Sequence, residues 1–522
     1  MGFFQNLFGG FNRSTAESEK PVLEGAAAKA EQKKENTAIY SSALRSTLEG
    51  LLEAGEVDRA IKMFACHRDE AMKALSEYRP DEHKINFRQN KKRKDQDDYE
   101  TSKLPRAIQR GTNETATFFM FGNPINITLA NKPEEAAELG DAFEAFKDFL
   151  DKVYFNENLY ECRHIAGSET ECAKLYSLAK DEDGAVDVVC QVKANSKGDT
   201  LYPLFNQYDK LIAFAFGYSL RNLDLDFEEH MDIYTKTNIW KFFKPSTSEE
   251  KWTLIKKEEN PFPGKIPVIY FNHEVDWEGV QARIEKLEWR DSKHSDTVEY
   301  FGDPYLKLSA DLVDDRLADP RENGKLFVVD SKDSVFEFVT PPDSADLVKN
   351  EKDDLKASID KDTLTPDWSY KSIMGLGTLS GEAMRRANLP GYVKRTRLAV
   401  NTYNRLIKRD LNLCVHIMTS YYSLANSELV DKLKKMKLKF SYTDPFIGGI
   451  EDNSTEVATY MGAGAMSVHA AVAANRHVED KAAEEERIWE DKERQALIEA
   501  KAALAAKQQS SQQTDNNQNK NE

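Results

Sequence analysis

Residues 276–300, DWEGVQARIEKLEWRDSKHSDTVEY, set the architecture when read beside residues 343–362, DSADLVKNEKDDLKASIDKD. In the first stretch Trp277, Val280, Ile284 and Leu287 recur at three- and four-residue spacing, a narrow apolar stripe on an otherwise charged helix. Twenty-five helical residues make a rod of about 37 Å, and Gly302-Asp303-Pro304 stops it. Pro341-Pro342 opens the second helix with Asp343 as its N-cap. Its stripe is thinner still (Val348, Leu355, Ile359), and residues 343–362 hold seven acids against four lysines. Strand-like pieces, Tyr305–Leu308, Leu326–Val329 and Val335–Val339, lie between the helices around a polar insert, Asp314–Gly324. Two such helices have too little apolar surface for a core of their own. The reading therefore expects all seven stripe residues to pack against identical copies about a rotation axis.

Outward from this pair the chain reads as a mixed α+β body. An amphipathic pattern over Ile39–Tyr78 predicts two helices split near Gly55, and another helix runs from about Pro105 to Phe118. A helix over 139–155 follows. Alternating and β-branched runs then predict antiparallel strands at Ala185–Val192, Lys210–Tyr218 and Met231–Phe243. A short strand near Pro267–Tyr270 leads into the first rod. Beyond the second rod lies a glycine-punctuated segment, Trp368–Gly381, then a helix from Pro390-Gly391 to about Tyr422 whose wide apolar face predicts burial. Lys437–Tyr442 reads as a strand, residues 452–476 and 479–507 as helices, and residues 508–522, without an apolar side chain, as a disordered tail.

Composition excludes several classes of function. A formal charge of −17 over 522 residues opposes static gripping of DNA, which gains affinity from lysines and arginines that displace counterions. Five cysteines at no scaffold spacing are expected to be reduced, and no stretch approaches a membrane span. Gly375-Leu-Gly377-Thr-Leu-Ser-Gly381 has one residue too many for a dinucleotide fingerprint and follows a helix where a strand is needed. No GxxxxGK[ST] loop is present, so no ATPase of the phosphate-loop type is read here. Cys162, His164 and Cys172 lack a fourth zinc ligand at any standard spacing. No catalytic set is found, no metal or cofactor is expected, and the chain is read as a non-enzyme.

Four further motifs carry a resemblance. They are Phe121-Gly122-Asn123-Pro124-Ile125; Tyr202-Pro203-Leu204-Phe205 with Tyr208-Asp209; Pro263-Gly264-Lys265-Ile266-Pro267-Val268-Ile269 before the long helix to Asp303-Pro304-Tyr305-Leu306; and Ser380-Gly381-Glu382-Ala383 before the buried helix. In this order, around the helix–insert–helix, the chain resembles the portal proteins of tailed bacteriophages, the siphophage-like branch in particular, from about residue 78 to 495. The resemblance implies a flexible arm (1–38), a wing (39–275), a first stem helix (276–301) and a clip (302–341). It further implies a second stem helix (342–363), a tunnel loop (364–380), a long helix with the rest of the wing (381–440), a helical crown (441–507) and the tail (508–522).

It also implies a ring of about twelve subunits at one capsid vertex, which at −17 each would carry roughly −200. Double-stranded DNA would pass through without sequence specificity. The expected partners are further copies of the chain, the terminase large subunit, the major capsid and scaffolding proteins, and a head–tail connector or adaptor, with no membrane. The location would be the virion, after assembly in the host cytoplasm. In the tunnel loop Trp368, Tyr370, Lys371, Ile373 and Met374 are the candidate DNA contacts, Lys371 the foremost. The competing reading is a cytosolic scaffold or adaptor without a channel.

Overall fold

The computed structural model describes residues 42–90, 100–180, 186–221, 227–245, 251–302, 306–309, 326–329, 344–368, 386–422, 427–446, 457–474 and 484–501. Three helices come first: α1 (residues 42–53), α2 (Val57–Ile61) and α3 (Arg68–Tyr78). Gly55, at φ 73°, makes the predicted turn after α1. A second break near residue 65 divides the remainder, so three helices stand where the periodicity predicts two. Then follow α4 (Ile108–Phe121), β1 (Asn126–Leu129), α5 (Pro133–Glu138), α6 (Gly140–Lys152) and α7 (Phe155–Glu169). Tyr154 takes a left-handed φ of 51° and separates α6 from α7.

The strands β2 (Glu171–Lys180), β3 (Val186–Lys193), β4 (Thr200–Phe205), β5 (Leu211–Arg221), β6 (Phe227–Tyr234), β7 (Asn238–Pro245), β8 (Thr253–Glu259) and β9 (Val268–Asn272) build two sheets. One is an antiparallel five-stranded meander, β4-β5-β6-β7-β8; the other is β3-β2-β9. Period-two alternation decides what each face of the meander buries. Ala213, Ala215, Met231, Ile233, Trp240 and Phe242 point to a core closed by Leu48 and Leu52 of α1 and Val57 and Ala60 of α2. Phe214, Phe216, Tyr234 and Ile239 point the other way, onto Ala173, Leu175, Val268 and Tyr270 of the smaller sheet. The register Phe214↔Tyr234 and Ala215↔Ile233 keeps each set on its own side. The predicted strand Met231–Phe243 is two strands, β6 and β7. Thr235 Oγ1 accepts the Asn238 N–H at 2.9 Å and closes a tight turn between them.

After β9 the chain enters α8 (Gln281–Gly302), a parallel pair β10 (Leu306–Ser309) and β11 (Leu326–Val329), and α9 (Ser344–Asp362). The third strand expected at Val335–Val339 lies outside the described residues, as do the arm, the tail and the Asp314–Gly324 insert. α10 (389–398) runs through a π turn, Ala399–Tyr403, into α11 (Asn404–Tyr421); α12 (Ser427–Lys435) and β12 (Leu438–Ser441) follow. α11 is buried as its wide apolar face predicts, in the largest core, with Phe146, Phe155, Phe271 and Ile417. Across that core Asp410 of α11 accepts from Lys174 Nζ at 2.9 Å and Tyr176 Oη at 2.7 Å, two residues on the same side of β2.

Contacts divide the chain into two units, Met1–Asp367 with Asn388–Pro445, and Trp368–Ala387 with Phe446–Glu522. The described part of the second contains α13 (residues 457–462), α14 (Val468–Ala474) and α15 (residues 484–501). α15 is exposed almost throughout, as its alanine, glutamate and lysine content predicts.

Candidate functional site, the α8–α9 helix pair and its base

The two long helices pair antiparallel. Arg290 Nε meets Glu351 at 2.9 Å, Lys352 Nζ meets Asp291 at 2.7 Å, and Arg283 binds Asp362. Trp277, Val280, Ile284 and Leu287 are at most 2 % exposed, and Ile359 of α9 is fully covered. They close a core with Ala74 and Tyr78 of α3 and Ile108 of α4, Leu355 packing against its edge. The Trp277 ring stacks on Tyr78 at 5.8 Å, and its Nε1 donates to Glu77 Oε2 at 2.9 Å. This corrects the expectation that the stripe packs on identical copies: Trp277, Val280, Ile284, Leu287 and Ile359 are consumed inside one chain, because α3 lies along the base of α8. Val348 and Leu355 are partly buried.

A second face of α8 carries acids one turn apart, each with its own partner in the segment 83–106. Glu288 accepts from His83 Nδ1 at 2.6 Å and from the Arg106 backbone N–H at 2.8 Å. Burial opposes charge on His83, but the bond to Glu288 outweighs it and lifts the imidazole above its ordinary value. Asp291 binds Arg106, and Asp296 binds Arg88 at 2.6 Å and the Ser102 N–H at 2.7 Å. Burial works against both aspartates, yet these hydrogen bonds and cations hold their carboxyls below the usual range. With Glu285, which meets Lys84 Nζ at 2.8 Å, and Ser292, whose Oγ accepts the Leu104 N–H at 3.0 Å, the positions 285, 288, 292 and 296 form a helical stripe as regular as the apolar one. A search confined to apolar periodicity passes over it.

At the foot of α8 is a fully buried charge cluster. Arg163 of α7 donates twice to Asp276, at 2.9 Å each, and Lys394 of α10 approaches the same carboxylate at 3.3 Å. Burial disfavours the Asp276 charge, but Arg163 and then Lys394 override it and hold its carboxyl below the ordinary carboxylate range. Burial pulls the Lys394 ammonium down in spite of Asp276. Burial, and then the Arg163 charge, pull His273 down to about 4, so at neutral pH it is an uncharged partner of Tyr403 Oη at 2.9 Å. Any side chain at Gly167 would run into Asn113, Arg163 and Asp276, so glycine is required where α7 crosses this joint. The cluster ties α7, the entry to α8 and the start of α10.

Of the tunnel-loop residues, Trp368 is described: its ring stands edge-on to Phe446 at 6.4 Å. Tyr370, Lys371, Ile373 and Met374 lie outside the described residues. Cys162 and Cys172 are buried, with the Cys172 thiol donating to the Cys162 carbonyl at 3.2 Å, and His164 pairs with Tyr78 Oη at 3.2 Å. Among the described residues no group of three or more His, Cys, Asp or Glu is placed to hold a metal, and no helix is long and apolar enough to cross a membrane. What the geometry assembles is a pair of antiparallel rods joined by ion pairs.

The family model described as phage portal protein, SPP1 Gp6-like, matches residues 64–496, from the link between α2 and α3 through both rods into α15. The chain belongs to that family, and the resemblance drawn from its four motifs is borne out. No curated protein matches it.

Proposed function

We propose that the protein is one subunit of a ring of about twelve at a capsid vertex, the conduit through which viral DNA is packaged and ejected. The family match across both rods carries this reading. The clip region, residues 302–341, would be the outer platform for the terminase motor and then for the head–tail connector. The acidic α9, which exposes Asp346, Asp353 and Asp354, would contribute to a channel surface that repels phosphate and lets DNA slide. Lys371, in the segment between α9 and α10, would make a transient phosphate contact beside Trp368 and Tyr370. The protein would act by shape and charge, without catalysis, in the virion. Nothing in the family match favours a cytosolic scaffold, which predicts an elongated monomer or dimer. Negative-stain imaging and particle-mass measurement of the purified chain test the reading: rings with a central hole are expected, and a stable monomer or dimer at all concentrations would overturn it.

A further inference from the structure

The net charge of −17 conceals one strongly cationic stretch. Asn388–Pro445 holds eleven lysines and arginines against four acids, a net +7. Three of those acids are already engaged: Asp410 by Lys174 and Tyr176, Glu428 by Lys432 at 3.0 Å, and Asp444 by the Tyr392 hydroxyl at 2.8 Å. Arg397, Arg405, Lys408 and Arg409 stand on the solvent side of α10 and α11, all exposed. None of the four has an acidic partner among the described residues. The π turn Ala399–Tyr403 sets three of them in line. With one surplus residue taken up in the turn, Arg405 and Arg409 fall within about 20° of Arg397 around the helix. On an unbroken helix they would stand about 80° and 120° away. Arg397 to Arg409 covers about 17 Å. Lys265 continues the row, its Nζ donating at 2.9 Å to the carbonyl of Asn412, one turn beyond Lys408.

We propose that this row is a docking site for the phosphate backbone of duplex DNA, reached from outside the channel and blind to base sequence. This deepens the portal reading and rests on it. A straight file of one sign fits a linear polyanion: over about 17 Å a duplex presents on the order of ten phosphate charges. The same surface is a poor match for a protein partner. Interface cores between proteins are depleted in lysine and built on apolar anchors. Between Arg397 and Arg409 the exposed side chains are the four cations, Val400 and Asn401, with no aromatic among them. The place outside the channel follows from sliding. A wall past which DNA must move has to repel phosphate, as the acidic α9 would, whereas a row of free cations holds it. The row would therefore anchor duplex that is not in transit, separately from the brief contact at Lys371.

Covalently closed circular duplex, which has no end to thread through a channel, is the probe, and filter binding to the full chain at 50 to 200 mM salt is the assay. Four phosphate contacts predict a slope of about −3.6 in log affinity against log salt, a loss of about 150-fold over that range. The variant R397Q/R405Q/K408Q/R409Q should bind at least tenfold more weakly at 50 mM salt, with a flatter slope. R397K/R405K/R409K keeps the charge and should stay within twofold of wild type. K434Q/K435Q/K437Q/K439Q removes the same charge from exposed positions in the segment 434–439 and should lose no more than threefold. Circular dichroism checks the helix content of each variant, and the wild-type slope needs no variant at all. A wild-type slope near zero, a glutamine row that binds as wild type, or equal losses in the two quadruple variants would overturn the proposal. Poly-L-glutamate held as tightly as duplex at equal charge would assign the row to an acidic protein and overturn it too. Negative stain of the same samples keeps the two readings apart. Rings whose glutamine row still binds circles sink the docking site and leave the portal reading intact. Row-dependent binding by a chain that never forms rings retains the site and sinks the portal reading.

Discussion

Replacing Asp276 by asparagine keeps the side-chain volume and removes the charge that two buried cations share. Arg163 sits fully buried, with one terminal nitrogen donating to both Asp276 oxygens, and it cannot discharge. Lys394 can, because burial already lowers its ammonium and loss of Asp276 lets it release a proton. The expected loss is therefore that of one broken buried pair, about 3–5 kcal/mol, rather than two. Asparagine still offers one carbonyl oxygen to Arg163, which places the expectation near about 3 kcal/mol. At an m-value of about 3 kcal/mol/M this moves the urea midpoint down by about 1 M. Trp277, next in sequence and stacked on Tyr78, makes fluorescence a suitable local reporter. The companion variant K394M leaves the Arg163–Asp276 pair whole and should cost clearly less. A loss below about 1 kcal/mol for D276N, well short of what breaking a buried pair removes, or a K394M cost equal to it, would refute the assignment of Asp276 as the shared anion.

His273 gives a pH dependence whose sign follows from its lowered value. The unfolded chain takes up this proton near 6.5 and the folded chain only near 4, so stability falls as pH drops through that window. H273Q should lose less between pH 7 and 4.5 than wild type in urea titrations, and parallel losses would remove His273 as the cause. Gly391→Ala, which in an open helix stabilises, should destabilise here by about 1–3 kcal/mol, because the new methyl runs into the ring of Phe119. A raised urea midpoint would show that Phe119 yields. Lys371→Glu should reduce DNA filling of capsids while ring yield stays as wild type; normal filling would end its role as the phosphate contact.

Much of this fold can be read from spacing. The stripe at Trp277, Val280, Ile284 and Leu287 marked α8, and the alternation over Lys210–Tyr218 marked β5, because in both cases a single apolar period decides which side is covered. Two elements that escaped, α7 and β2, bury polar groups instead. α7 covers Arg163, Ser168 and Glu169, and β2 covers Glu171 and Lys174; charge in these places erases the apolar period from which helix and strand are recognised. The base of α8 was hidden for another reason. Asp276 finds its partners 113 and 118 residues away, and a single chain read linearly contains no signal for a pair at such range. The stripe itself was seen correctly and given the wrong neighbour, since the presence of α3 beside it depends on how the body folds.

The π turn Ala399–Tyr403 has a consequence for the length of the rod formed by α10 and α11. One surplus residue turns the helix beyond it by about 100° relative to an unbroken ladder. That twist lets Lys394 face Asp276 at one end while Asp410 faces Lys174 at the other. Deleting a single residue here would straighten the rod and improve its local bonding, yet swing one of the two locks out of alignment. The rod is thus held to an awkward length by the keys cut at both of its ends.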